Sequence, residues 1–106
     1  MSDFVPVARL DEVPPGTRIL VDFDEVTVAL INIGGHIYCI EDLCTHDGGP
    51  VADGDIDGFA IECPRHGAKF DLRDGCVLSM PAVVPIPTYQ VKIDGNQVYV
   101  ESPDAW

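Results

Sequence analysis

No window of the chain sustains apolar residues at i, i+3, i+4 and i+7, the spacing an amphipathic helix requires; short β-branched and aromatic runs alternate with turn residues instead. The pattern predicts an all-β, antiparallel fold. Strands are expected at Phe4–Ala8, Arg18–Phe23, Glu25–Ile33, His36–Asp42, Phe59–Glu62, Lys69–Asp71, Thr88–Ile93 and Gln97–Glu101. Gly34-Gly35 and Asp94-Gly95-Asn96 sit between such runs and fit tight hairpin turns, which sets their flanking strands as neighbours. Leu10-Asp11-Glu12-Val13 precedes Pro14-Pro15-Gly16, so one short helical turn is expected there as a connector, with the prolines barring its continuation.

The middle of the chain departs from this pattern. Asp42 to Gly58 is dense in Gly, Asp and Pro, and Met80 to Pro87 carries three prolines around Val83-Val84. A structureless stretch of 17 residues is out of place in a compact domain unless something orders it, and a metal centre would. At 106 residues the chain is expected to form one domain, residues 1–106, in which residues 1–41 and 81–104 make a β scaffold and residues 42–80 an inserted loop-rich unit. A chain of this size buries roughly 65% of its extended surface, enough for a modest core.

Charge narrows the partners. Six Lys and Arg against 18 Asp and Glu leave a net charge of −12, which repels nucleic acid and anionic lipid. The longest apolar run, Val26 to Ile33, is interrupted by Thr27 and Asn32 and falls well short of the roughly 20 residues of a membrane span. Met1-Ser2-Asp3 has no basic start followed by an apolar stretch. The chain therefore reads as a soluble, cytoplasmic protein, expected to be a monomer. In that compartment its four cysteines are thiols or metal ligands before they are disulfides.

Two loops each bring one thiol and one imidazole: Cys44-Thr45-His46 and Cys63-Pro64-Arg65-His66-Gly67, with 16 residues between His46 and Cys63. Two Cys and two His suit either tetrahedral zinc or a [2Fe–2S] cluster in which two histidines replace two cysteines on one iron. Zinc fingers usually pair Cys with Cys and His with His within each half. One ligand of each kind per loop favours iron–sulfur.

Cys44-Thr45-His46-Asp47-Gly48-Gly49-Pro50 and Cys63-Pro64-Arg65-His66-Gly67-Ala68-Lys69-Phe70-Asp71-Leu72 resemble the two cluster-binding loops of Rieske proteins, in particular the small soluble Rieske-type ferredoxins. Gly34, Gly75, Pro81, Thr88-Tyr89-x-Val91 and Val98-Tyr99-Val100 extend the resemblance over nearly the whole chain. It implies the Rieske-type fold and one [2Fe–2S] cluster, its inner iron held by Cys44 and Cys63 and its outer iron by His46 and His66. It further implies a one-electron carrier, not an enzyme, that takes electrons from a flavin-dependent NAD(P)H reductase and passes them to a terminal oxygenase or similar acceptor. A ferredoxin tied to iron–sulfur metabolism and the small Rieske-like subunit of a nitrite reductase-type complex are the alternatives. A zinc-stabilised interaction module would be colourless where a Rieske protein is red-brown.

Gly48, Gly49 and Gly67 lack Cβ and suit a backbone passing close to inorganic sulfide; Pro64 stiffens its loop, and Pro81 is placed to cover the cluster. Rieske proteins of the respiratory and photosynthetic cytochrome complexes tie their loops with a disulfide whose positions here are Gly49 and Arg65. The same relatives direct a Ser and a Tyr hydroxyl at the cluster where this chain has Ala68 and Phe70. Their loss destabilises the more negative reduced form, so the potential is expected at the low end of the roughly −150 to +300 mV range.

Among the remaining candidates, Cys39 reads as a packed core thiol and Cys76 as a plain loop thiol, and nothing in the spacing supports a disulfide between them. His36 reads as a solvated turn residue. Asp53-Gly54-Asp55-Ile56-Asp57 lacks the distal Glu of a calcium loop and reads as a solvated acidic face suited to basic docking patches on partners.

Overall fold

The computed structural model describes residues 4–23, 26–43, 51–64, 67–79 and 85–101. Their strands are β1 (Phe4–Arg9), β2 (Arg18–Phe23), β3 (Val26–Ile33), β4 (His36–Glu41), β5 (Ile56–Asp57), β6 (Ala60–Glu62), β7 (Lys69–Asp71), β8 (Val77–Ser79), β9 (Thr88–Tyr89), β10 (Val91–Asp94) and β11 (Gln97–Glu101). One 3-10 turn, Leu10–Glu12, stands where the connector is expected. Among the described residues there is no α-helix, and no helix is long and apolar enough to cross a membrane.

Three antiparallel sheets form, with strand orders β1-β11-β10, β2-β3-β4-β9 and β5-β6-β7-β8. The second is the middle layer, because its strand β3 is buried on both faces. Along β3, Val28 and Leu30 point into a core shared with Ala8, Val13, Val98 and Val100, while Ala29 and Ile31 point into a second core with Val51, Ile61, Cys63 and Phe70. The period of two along a strand sends alternate side chains to opposite faces, so one strand serves both cores. The third sheet is contributed wholly by residues 56–79.

Both hairpin turns are present. Gly34 and Gly35 have φ of 62° and 96°, the left-handed pair that a two-residue primed turn demands, and they join β3 to β4. Gly95-Asn96 joins β10 to β11.

The structure corrects three expectations. The run expected as one strand at Thr88–Ile93 is two, because the chain changes sheets at Gln90: Tyr89 pairs with Cys39 in the middle sheet and Val91 with Val100 in the first. Ile56–Asp57 and Val77–Ser79 are strands where none was expected. The expected strand starts at Glu25 and Phe59 move inward, since β3 begins at Val26 and Phe59 lies in the turn before β6; Glu25 itself lies outside the described residues.

Candidate metal centre

Cys63 follows β6 directly and opens the turn that returns the chain to β7. Its N–H donates to the Ala68 carbonyl at 2.7 Å, and its own carbonyl accepts from the Gly67 N–H at 3.0 Å, so two backbone bonds close the loop on itself. Gly67 has φ of 76°, a left-handed conformation that costs other residues about 1–2 kcal/mol. An added Cβ would meet nothing nearer than the Glu62 carboxylate at 4.0 Å, so among the described residues the need for glycine there is conformational.

The Cys63 side chain is sealed from solvent, 1% exposed, within the core that also holds Val51, Ala52, Ala68, Phe70 and Leu72. A thiol on a constrained turn in a dry apolar setting suits a thiolate ligand whose metal is shielded from water. Ala68 and Phe70 are fully buried beside it and bring no hydroxyl.

Cys44, His46 and His66 lie outside the described residues, as do Gly48, Gly49, Pro50, Arg65, Pro81 and the terminal Trp106. Accordingly, among the described residues no three His, Cys, Asp or Glu side chains gather into a metal site. How the segments bordering these residues are seated is nevertheless visible.

The segment after the first loop is gripped from two sides. Asp42 Oδ1 accepts from the N–H groups of Val51 at 2.8 Å and Ala52 at 2.7 Å, and Arg18 on β2 donates Nη1 to the carbonyls of Ala52 at 2.7 Å and Gly54 at 2.6 Å. Gly54 then lies so close to the Glu62 carbonyl that a Cβ would overlap it, and the Glu62 N–H donates to the Asp55 carbonyl at 2.9 Å. The base of the first loop is thereby joined to the residue preceding Cys63. Gly75 plays a similar part for the proline-rich segment: its carbonyl accepts the Ile86 N–H at 2.9 Å, and a Cβ on it would collide with the Ile86 carbonyl oxygen.

None of Arg18, Asp42 or Gly54 stands out in the sequence, since their partners lie far along the chain. The other singled-out residues fall elsewhere. Cys39 is buried on the opposite face of the middle sheet from Cys63, and burial pushes its thiol up to about 12. Cys76 is exposed just before β8, and the neighbouring Asp74 carboxylate raises its pKa. Cys39 and Cys76 form no disulfide. His36 is exposed at the start of β4 with its ring 4.5 Å from that of Tyr38. Asp53, Asp55 and Glu62 line a cleft of about 220 Å³ that also reaches Cys63, Pro64 and Gly67, which puts negative charge at the rim of the candidate site.

The family described as the Rieske [2Fe-2S] domain matches residues 3–90. The 3-phenylpropionate/cinnamic acid dioxygenase ferredoxin subunit of Escherichia coli (strain K12) is 38% identical over 101 residues, covering 94% of this chain and 92% of that protein. The ferredoxin of carbazole 1,9a-dioxygenase from Nocardioides aromaticivorans IC177 superposes with a TM-score of 0.87 at 34% identity, covering 95% of this chain and 99% of that one. A chain of the complex of reduced oxygenase and oxidized ferredoxin in carbazole 1,9a-dioxygenase gives a TM-score of 0.84 at 32% identity, with 92% of each chain covered.

Proposed function

Since the chain belongs to the Rieske [2Fe–2S] domain family, we propose that Cys44, His46, Cys63 and His66 hold one [2Fe–2S] cluster within the unit formed by residues 42–80, carried on a scaffold of residues 1–41 and 81–104 of a single domain. The protein is an electron carrier of the ferredoxin type and not an enzyme. Its donor is a flavin-dependent NAD(P)H reductase and its acceptor the terminal oxygenase of a dioxygenase system, which it meets in the cytoplasm as a monomer.

The observation that carries this reading is the end-to-end likeness to a dioxygenase ferredoxin of almost the same length. The donor chemistry fits: the Cys63 thiol is buried in an apolar core on a turn closed by its own backbone bonds. When bound, such a cluster takes up and releases one electron at a time. The core packed around Cys63 keeps water from its sulfur, and the carboxylates of Asp53, Asp55 and Glu62 beside it offer a negatively charged rim to a basic partner surface. A thiol at Cys39 that is buried and unbridged accords with a reducing compartment. Neither the nitrite reductase-type subunit nor a role in iron–sulfur metabolism is favoured by any of these relatives.

The test is metal analysis and electron paramagnetic resonance of the dithionite-reduced protein. About two irons and two acid-labile sulfides per chain are expected, with an average g value below that of an all-thiolate centre. A colourless, zinc-loaded protein would overturn the reading.

A further inference from the structure

Eight residues, 43–50, separate Asp42 from Val51, and they include Cys44 and His46. A single oxygen, Asp42 Oδ1, accepts from the first two N–H groups after this span, at 2.8 Å from Val51 and 2.7 Å from Ala52. Side-chain to backbone bonds of Asp usually reach two to four residues and make a turn. These reach nine and ten residues, so they close a loop instead. Asp42 is itself anchored, because its N–H donates to the Thr27 carbonyl on the neighbouring strand at 2.8 Å.

The far side of the same segment faces the opposite charge. Arg18 Nη1 donates to the carbonyls of Ala52 and Gly54, so the N–H groups of residues 51–52 meet an anion and the carbonyls of residues 52 and 54 a cation. Charge-assisted bonds are about twice as strong as neutral ones, and Val51 and Ala52 are buried, where water competes least. This is more than a surface loop needs to stay attached. It sets the distance between the two ends of the span that carries Cys44 and His46.

We propose that Asp42, backed by Arg18, is a positioning residue for the first ligand loop, fixing both of its ends so that Cys44 and His46 reach the cluster in one geometry. The proposal rests on the reading of those two residues as ligands. Its physical content is that an acceptor oxygen at this position matters more than the negative charge it carries: Asn offers a carbonyl oxygen in the place of Oδ1 and makes the same bonds at lower strength, whereas Ala offers none.

The full-length, cluster-loaded protein is compared with Asp42→Ala and Asp42→Asn for iron loss to a chelator, measured well below the unfolding temperature. Asp42→Ala is expected to lose iron at least about tenfold faster, the equivalent of about 1.4 kcal/mol, with a broadened spread of g values in the reduced protein. Asp42→Asn is expected to release iron within about threefold of wild type with an unbroadened spectrum, since neutral acceptors keep about half the strength. Wild-type release from Asp42→Ala overturns the proposal, and so does an Asp42→Asn that fails as badly as Ala. Should Asp42→Ala not load, Arg18→Met frees the carbonyl side of the segment; faster release supports the clasp and wild-type release overturns it. Amide hydrogen exchange separates this from failure of the ligand reading. If wild type proves iron-free, that reading falls, while the Val51 and Ala52 amides must still lose protection in Asp42→Ala and keep it in Asp42→Asn if the clasp is real.

Discussion

Gly54 rests directly against the backbone carbonyl of Glu62, at a separation that leaves no room for a Cβ. The contact joins the segment that ends the first candidate ligand loop to the strand residue before Cys63. Gly54→Ala must therefore move one of two backbones, at a cost of about 1–3 kcal/mol, and it should release iron faster as well. Gly58→Ala provides the comparison, because Gly58 has φ of 62° and open space around it: about 1–2 kcal/mol is expected from its conformation alone, with iron retention unchanged. Chemical denaturation and iron release measured on both variants check this.

The pair Ala68 and Phe70 bears on the potential. Both are fully buried in the core that contains Cys63 and neither carries a hydroxyl. The midpoint is expected in the lower part of the roughly −150 to +300 mV range. Ala68→Ser should raise it, by at most about 65–130 mV if a bond of about 1.5–3 kcal/mol acts only on the reduced state. Voltammetry of the two proteins tests the direction; a lower or identical midpoint in the serine variant refutes the hydrogen-bond account.

Acid stability should depend on Asp71. Arg73 donates Nε to its Oδ1 at 3.0 Å and Nη2 to its Oδ2 at 2.7 Å, and these bonds hold the carboxyl below its usual range. A group whose folded pKa is depressed stabilises the fold above its unfolded value, about 3.9, and that stabilisation fades as pH falls through the folded value. Asp71→Asn should lose this part of the pH dependence below about pH 4, read from urea midpoints across the acid range. An identical acid profile in the variant would show that the pair contributes nothing there.

Thiol chemistry should distinguish the two cysteines outside the proposed ligand set. Cys39 is 2% exposed and its thiol is pushed up to about 12, so alkylating reagents should not reach it in the folded protein. Cys76 is exposed and should label, with a rate that climbs at alkaline pH because Asp74 disfavours its thiolate. Peptide mapping by mass spectrometry after brief alkylation is the readout, and modification of native Cys39 would contradict its placement.

Arg18–Phe23 and Gln97–Glu101 were legible because each carries enough β-branched residues to set a period, and Lys69–Asp71, though it has none, also stands where expected. Ile56–Asp57 and Val77–Ser79 are too short for a period and gain their pairing from β6 and β7. The sheet change at Gln90 left no mark either, since both halves of the run have strand composition. For the site, thiol and imidazole pairs on turn-rich loops singled out Cys44, His46, Cys63 and His66, of which only Cys63 lies among the described residues. Asp42, Arg18 and Gly54 escaped notice for one shared reason: each acts on backbone groups 8 to 36 positions away, and a lone Asp, Arg or Gly carries no local signature of a distant partner.

At Gln90 a single peptide separates Tyr89, bound into the middle sheet, from Val91, bound into the first, and its carbonyl accepts the Glu101 N–H at 3.0 Å. Neither layer can move far from the other while both stay intact, because β9 in one and β10 in the other are joined through this single residue. Melting is thereby pushed toward an all-or-none event. For the candidate site the consequence is that partly opened forms, in which the buried Cys63 thiol would meet dissolved oxidants, should stay scarce.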